Sequence, residues 1–103
     1  LKLLEFVTKE FISIVENLAD IEPVENGRII IEKEHFRKLL EKYNYMPFRN
    51  KANVYKSLNF IIHDKNNYTL PVKDHTLKRT VRKVVINYNA YETMKYLYEN
   101  DID

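Results

Sequence analysis

The chain has 103 residues, 45% of them apolar and 31% charged, with a formal net charge of +2 and no cysteine. That is enough for one domain, spanning residues 1–103, with a modest core. Disulfides and thiol chemistry are excluded, and no apolar run nears the ~18–20 residues that a bilayer span needs.

The start, LKLLEFVTKEF, holds acids inside its apolar pattern and has no small-residue cleavage site, so it does not read as a signal peptide. With the absence of cysteine, this suits a cytoplasmic protein. Beginning at Leu1 rather than Met, the chain reads as trimmed or as part of something longer. Leu4, Val7, Phe11, Val15 and Leu18 recur at helical spacing from Leu3 to Ala19. Leu3, Phe6, Ile12 and Ile14 widen that stripe. Pro23 closes the helix, Asn26-Gly27 is a turn, and the β-branched Arg28–Glu32 segment is a strand.

KEHFRKLLEKY follows, a second helix with Phe36, Leu39, Leu40 and Tyr43 on one face. Asn44-Tyr45-Met46 is a three-residue break, and Pro47 sits where a first helical residue is favoured. The third helix, 47–58, aligns Phe48, Ala52, Tyr55 and Leu58 inward. Arg49, Asn50, Lys51, Asn53 and Lys56 are left for the outside. Two short helices joined by a tight turn make a helix-turn-helix unit. Phe60-Ile61-Ile62 is an apolar plug, either the helix end or a linking strand. Residues 68–73 and 80–87 read as two strands around the loop DHTLKR, the first an edge strand because Pro71 lacks a ladder donor. Asn87 or Asn89 can cap a last helix through AYETMKYLYEN. The fold class is therefore α+β, a winged helix-turn-helix in the order α-β-α-α-β-β-α.

From Pro47 to Lys83 there are nine basic and two acidic side chains, a net +7, so the remainder of the chain is negative. A basic helix beside a basic ribbon suits a DNA groove and the phosphates flanking it. On the third helix, Arg can bond guanine, Asn can bond adenine and Lys can serve phosphates. In the wing, Lys73, His75, Lys78, Arg79, Arg82 and Lys83 can clamp a backbone. The plainer alternatives are a solvated helix face and lysines that protect an exposed edge strand. His35, His63 and His75 lie in separate elements without metal-ligand spacing. No nucleophile-and-base pair or phosphate-cradling glycine loop can be assembled, so neither catalysis nor a cofactor is expected.

HFRKLLEKYNYMP followed by VYKSL, then NNYTLPVK and RTVRKVVIN, resembles the winged helix-turn-helix domains of bacterial mobile elements. Such domains close plasmid and cassette replicative helicases and primases, or serve as relaxosome accessory proteins of conjugative plasmids. The likeness covers about residues 28–100 and rests on element order and residue type. It implies a sequence-specific duplex DNA-binding protein in plasmid transfer, replication or transcription regulation, with a relaxase or replication protein as a further partner. The wing loop departs from the pattern in having no glycine. Two other readings stand beside it: a winged helix that docks an acidic protein, and the C-terminal DNA-binding module of a helicase or primase. Broad apolar surfaces on the first and last helices point to a homodimer through the terminal helices.

Overall fold

The computed structural model describes residues 2–100. Four helices and a small antiparallel sheet follow one another as α1 (Lys2–Ala19), β1 (Arg28–Ile31), α2 (Lys33–Glu41), α3 (Phe48–Ser57), β2 (Ile61–Ile62), β3 (Leu70–Asp74), β4 (Arg79–Asn87) and α4 (Tyr88–Asn100). The protein is thus α+β. The apolar plug after α3 is a strand, which adds one element to the expected order.

β4 is the spine of the sheet. Its C-terminal half lies between β1 and β2, with Ile29 opposite Ile86, Ile31 opposite Val84, and Ile61 opposite Ile86. Because side chains alternate along strands, these five residues share one face, and all are buried in a core cluster with Val7, Phe11, Ile14, Val15 and Leu18 of α1. Phe11 stacks on Phe60 with ring centroids 4.0 Å apart. The N-terminal half of β4 leaves this core and pairs with β3, from Leu70–Lys83 to Asp74–Arg79. β3 has no other strand partner among the described residues, as Pro71 requires.

The connections follow from local chemistry. Asn26 and Gly27 both have positive φ (53° and 71°), and Glu25 and Arg28 exchange two backbone hydrogen bonds across them, a two-residue turn matched to strand twist. A Cβ on Gly27 would stand 2.7 Å from the Asn89 side chain. After α3, Asn59 takes a left-handed φ of 59°. The amides of Asn59 and Phe60 reach back to the carbonyls of Lys56 and Tyr55, a glycine-type helix stop made by asparagine. Asn87 Oδ1 accepts the Ala90 amide and so caps α4, while its Nδ2 donates to the Asn59 carbonyl.

Two expectations are corrected between α2 and α3. α2 ends at Glu41, so the connection runs over residues 42–47 and is longer than a three-residue break; Tyr43 lies beyond the helix, 53% exposed. Lys51 does not face outward: it is 1% exposed. Its ammonium donates to the carbonyls of Leu40, in the last turn of α2, and of Tyr43, just beyond it, and to Glu10 Oε2 of α1 at 2.8 Å. Tyr45 and Tyr55 donate to the other Glu10 oxygen at 2.7 and 2.8 Å. The Lys51 ammonium also lies 4.0 Å from the Tyr45 ring centroid. One buried lysine therefore closes α2, fixes the turn after it and ties both helices to α1.

The terminal helices leave apolar side chains in water. Leu3, Leu4 and Phe6 are exposed on α1, and Tyr96, Leu97 and Tyr98 on α4. A cleft lined by Lys9, Ile12, Ser13, Glu16, Lys95, Tyr98 and Glu99, together with the Lys95–Glu16 pair, shows that the end of α4 lies beside the middle of α1.

Breaking a buried pair strands its partner without a counter-charge, at a cost of about 3–5 kcal/mol. Lys51→Met is expected to lower the free energy of urea unfolding by about that amount, whereas Lys65→Met, in an exposed loop, should be near neutral. A second expectation concerns alkali. Burial first, and the adjacent Glu10 second, raise the pKa of the Tyr45 and Tyr55 phenols above the ordinary value of 10.0. Above about pH 10 the unfolded chain releases phenolic protons that the native state keeps, so stability is full below that pH and falls as pH rises. Urea midpoints measured between pH 8 and 12 should decline only from about pH 10 upward.

Candidate nucleic-acid interface

The outward face of α3 carries Arg49, Asn50 and Asn53, all exposed, with Lys56 half-buried beside them. Residues 49, 53 and 56 recur one and two turns apart and form one stripe. Lys51, expected on this face, points the opposite way into the Glu10 site. Its removal leaves two cations and two amides as the polar chemistry of the helix surface.

The wing divides along its length. At its base, Arg82 donates to Asp64, to Thr69 Oγ1 at 2.9 Å and to the Thr69 carbonyl, fastening the β2–β3 loop to the ribbon. Lys83 is paired with Glu32 at 3.1 Å and Asp74 at 3.2 Å, and hydrogen bonding to these carboxylates raises its pKa. These two residues, expected as phosphate contacts, are half-buried and bound within the protein. Towards the tip, Lys73, His75, Lys78 and Arg79 are exposed, and the three cations are in no ion pair with the described residues. Register puts Lys73 on one face of the ribbon with Thr80 and Arg82, and Arg79 on the other with Asp74 and Lys83.

The tip turns without glycine because two other residues do its work. Asp74 Oδ1 accepts the amides of Thr76 and Leu77, each at 2.9 Å, and Lys78 takes a positive φ of 54°. The Leu77 amide is the main reason the Asp74 carboxyl lies below its ordinary pKa, with the Lys83 ammonium next.

No protein-family model matches this sequence, and no curated protein matches it either. The charge geometry therefore carries the functional argument. Between Pro47 and Lys83 both carboxylates, Asp64 and Asp74, are held in ion pairs. Six cations there (Arg49, Lys56, Lys65, Lys73, Lys78 and Arg79) are in none among the described residues.

A cleft of about 620 Å³ runs beside α3, with the β2–β3 loop as its opposite wall. The sequence pattern singled out Arg49, Asn53 and Lys56 in its lining, but not Arg37 of α2 or Asn66 and Asn67 of the loop. Their proximity depends on the α2–α3 angle and on the loop's attachment to Arg82. Of the histidines, His35 and His63 are half-buried, His63 with Nδ1 2.8 Å from the Asp64 carbonyl oxygen, and His75 is exposed on the wing.

Proposed function

We propose that this chain is a winged helix-turn-helix protein that binds duplex DNA in a sequence-specific manner, with α3 in the major groove and the β3–β4 ribbon on the adjacent backbone. The observation that carries this reading is the set of six cations from α3 to the wing that are in no ion pair among the described residues, in a segment whose own carboxylates are already engaged. Arg49, Asn50 and Asn53 offer groups for base edges; Lys73, Lys78 and Arg79 offer charge for phosphates. The resemblance to mobile-element domains supports a setting in plasmid transfer or replication, or in transcription regulation. Arg82 and Lys83 act in this reading as supports of the wing, and Lys51 as the support of α3.

Fluorescence anisotropy with duplexes enriched from a random pool tests it. Affinity should fall steeply with salt, with a log–log slope of about 5.4 if all six cations meet phosphates, at about 0.9 for each. Asn50→Ala with Asn53→Ala should cost about 1–3 kcal/mol of preference for the target and spare non-specific affinity. Lys78→Ala with Arg79→Ala should weaken all duplexes alike and lower the slope by about two. A salt-independent response, or equal affinity for a neutral polymer, would sink the reading.

A second copy suits the exposed apolar side chains of the terminal helices. A two-fold contact lays one patch on itself, and an apolar patch needs no other surface to complement it. Leu3, Leu4 and Phe6 of α1 and Tyr96, Leu97 and Tyr98 of α4 supply exposed apolar surface for it, with the exposed carboxylates Glu5 and Glu99 next to them in the chain. Sedimentation at micromolar concentration should show a species heavier than the 12.5 kDa monomer, reduced by Phe6→Glu with Leu97→Glu. A monomer at high concentration would overturn the dimer and leave the DNA reading intact.

A further inference from the structure

The cleft beside α3 has a composition unlike other clefts described on the surface. One cleft contains Glu22 and Glu25, another Glu10, and a third Glu16 and Glu99. Among the described residues no carboxylate lines the α3 cleft, although Glu41 pairs with Arg37 beside it. Its polar lining is Arg37, Arg49, Lys56 and the amides of Asn53, Asn66 and Asn67. Three cations and three carboxamides provide many N–H donors, and only the amide oxygens of these side chains can accept. That balance fits an anion that accepts in several directions, which is the chemistry of a phosphate.

Arg37 is held for this purpose by two contacts. Its Nε donates to Glu41 at 3.2 Å, and its guanidinium carbon lies 4.7 Å from the Phe48 ring centroid. Among the described residues no acceptor meets the remaining guanidinium nitrogens, and a guanidinium lying over a ring is restrained on that side before it binds. Phe48 and Tyr68 meet edge to face at 5.6 Å and form a firm wall behind these donors. On the other side, Arg82 binds Asp64 and both oxygens of Thr69, which anchors the loop carrying Asn66 and Asn67 at each end.

We propose that this cleft is a phosphate seat that takes one phosphodiester of a nucleic-acid backbone between α3 and the β2–β3 loop. The proposal rests on the DNA reading and adds a third contact to it, carried by Arg37, Asn66 and Asn67. Arg49, Asn53 and Lys56 then serve this phosphate rather than base edges, leaving Asn50, which does not line the cleft, for the bases. A free phosphate or nucleotide presents the same chemistry, so the test includes it.

Arg37→Gln and Lys38→Gln make the same charge change at adjacent positions of α2, and Lys38 does not line the cleft. In anisotropy titrations of the full chain, Arg37→Gln should weaken duplex binding about tenfold and reduce the salt slope by about one, and Lys38→Gln should stay within about twofold of the parent. Equal effects of the two changes would overturn the seat, because net charge alone would then explain them. If Lys78→Ala with Arg79→Ala still weakened binding in that case, the DNA reading would survive. If the parent bound no duplex, the DNA reading would fail, and inorganic phosphate alone would decide the seat. Shifts in the side-chain amide signals of Asn53, Asn66 and Asn67, lost in Arg37→Gln, would keep it as a free-anion site; unmoved signals would overturn it.

Discussion

A lysine without access to water sets the shape of the helical half of this protein. A buried ammonium is tolerated only where acceptors surround it, and Lys51 has three: Glu10 of α1, the Leu40 carbonyl of α2 and the Tyr43 carbonyl in the turn after it. Each acceptor belongs to an element that must be placed before the site closes. The site therefore selects one arrangement of α1, α2 and α3 and disfavours neighbouring ones, which would leave a charge unpaired in the core. The rotation of α3 follows directly. With Lys51 turned inward, Arg49, Asn50 and Asn53 are turned out, so the polar face available to a partner is a consequence of one internal ion pair.

The sheet half follows a different constraint. β4 is a single strand with two environments. Its C-terminal residues are pinned on both sides by β1 and β2 over the core, and its N-terminal residues project with β3. Nothing in the backbone distinguishes these halves. The side chains do: Val84, Val85 and Ile86 are buried, and Arg79 and Thr80 are exposed. The ribbon is thus continuous with the core sheet, and a force on the wing is carried into the spine of the fold.

Much of the fold was legible because local rules agreed with it. The α1 stripe, the Asn26-Gly27 turn, the edge position of Pro71 and the Asn87 cap each follow from neighbouring residues. The inward turn of Lys51 had a signal that was overridden by its charge. It lies three residues after Phe48 and four before Tyr55, on the buried stripe, just as Glu10 lies between Val7 and Ile14 on α1. A cation and an acid, each on an otherwise apolar stripe, are a matched pair in sequence. The end of α2 was misplaced for a related reason: Tyr43 continues the helical period, but the Lys51 ammonium takes the carbonyls there. The partners of Arg82 and Lys83, and the meeting of Arg37 with Asn66 and Asn67, depend on tertiary approach and leave no local trace.

The division of the wing into a bound base and a free tip has one physical origin. Arg82 and Lys83 lie where the ribbon leaves the sheet, close to the β2–β3 loop and to Glu32 before α2. Partial burial weakens their hydration and makes an unpaired charge costly. Lys73, Lys78 and Arg79 lie in water, where a cation needs no partner. The pairs at the base also consume the carboxylates of this segment, Asp64 and Asp74, so neither remains to offset the charge at the tip. Asp74 has a further effect, since its other oxygen shapes the turn that carries Lys78. The same carboxylate that neutralises a structural lysine thus holds out the tip, and the positive field of the wing is concentrated at its far end.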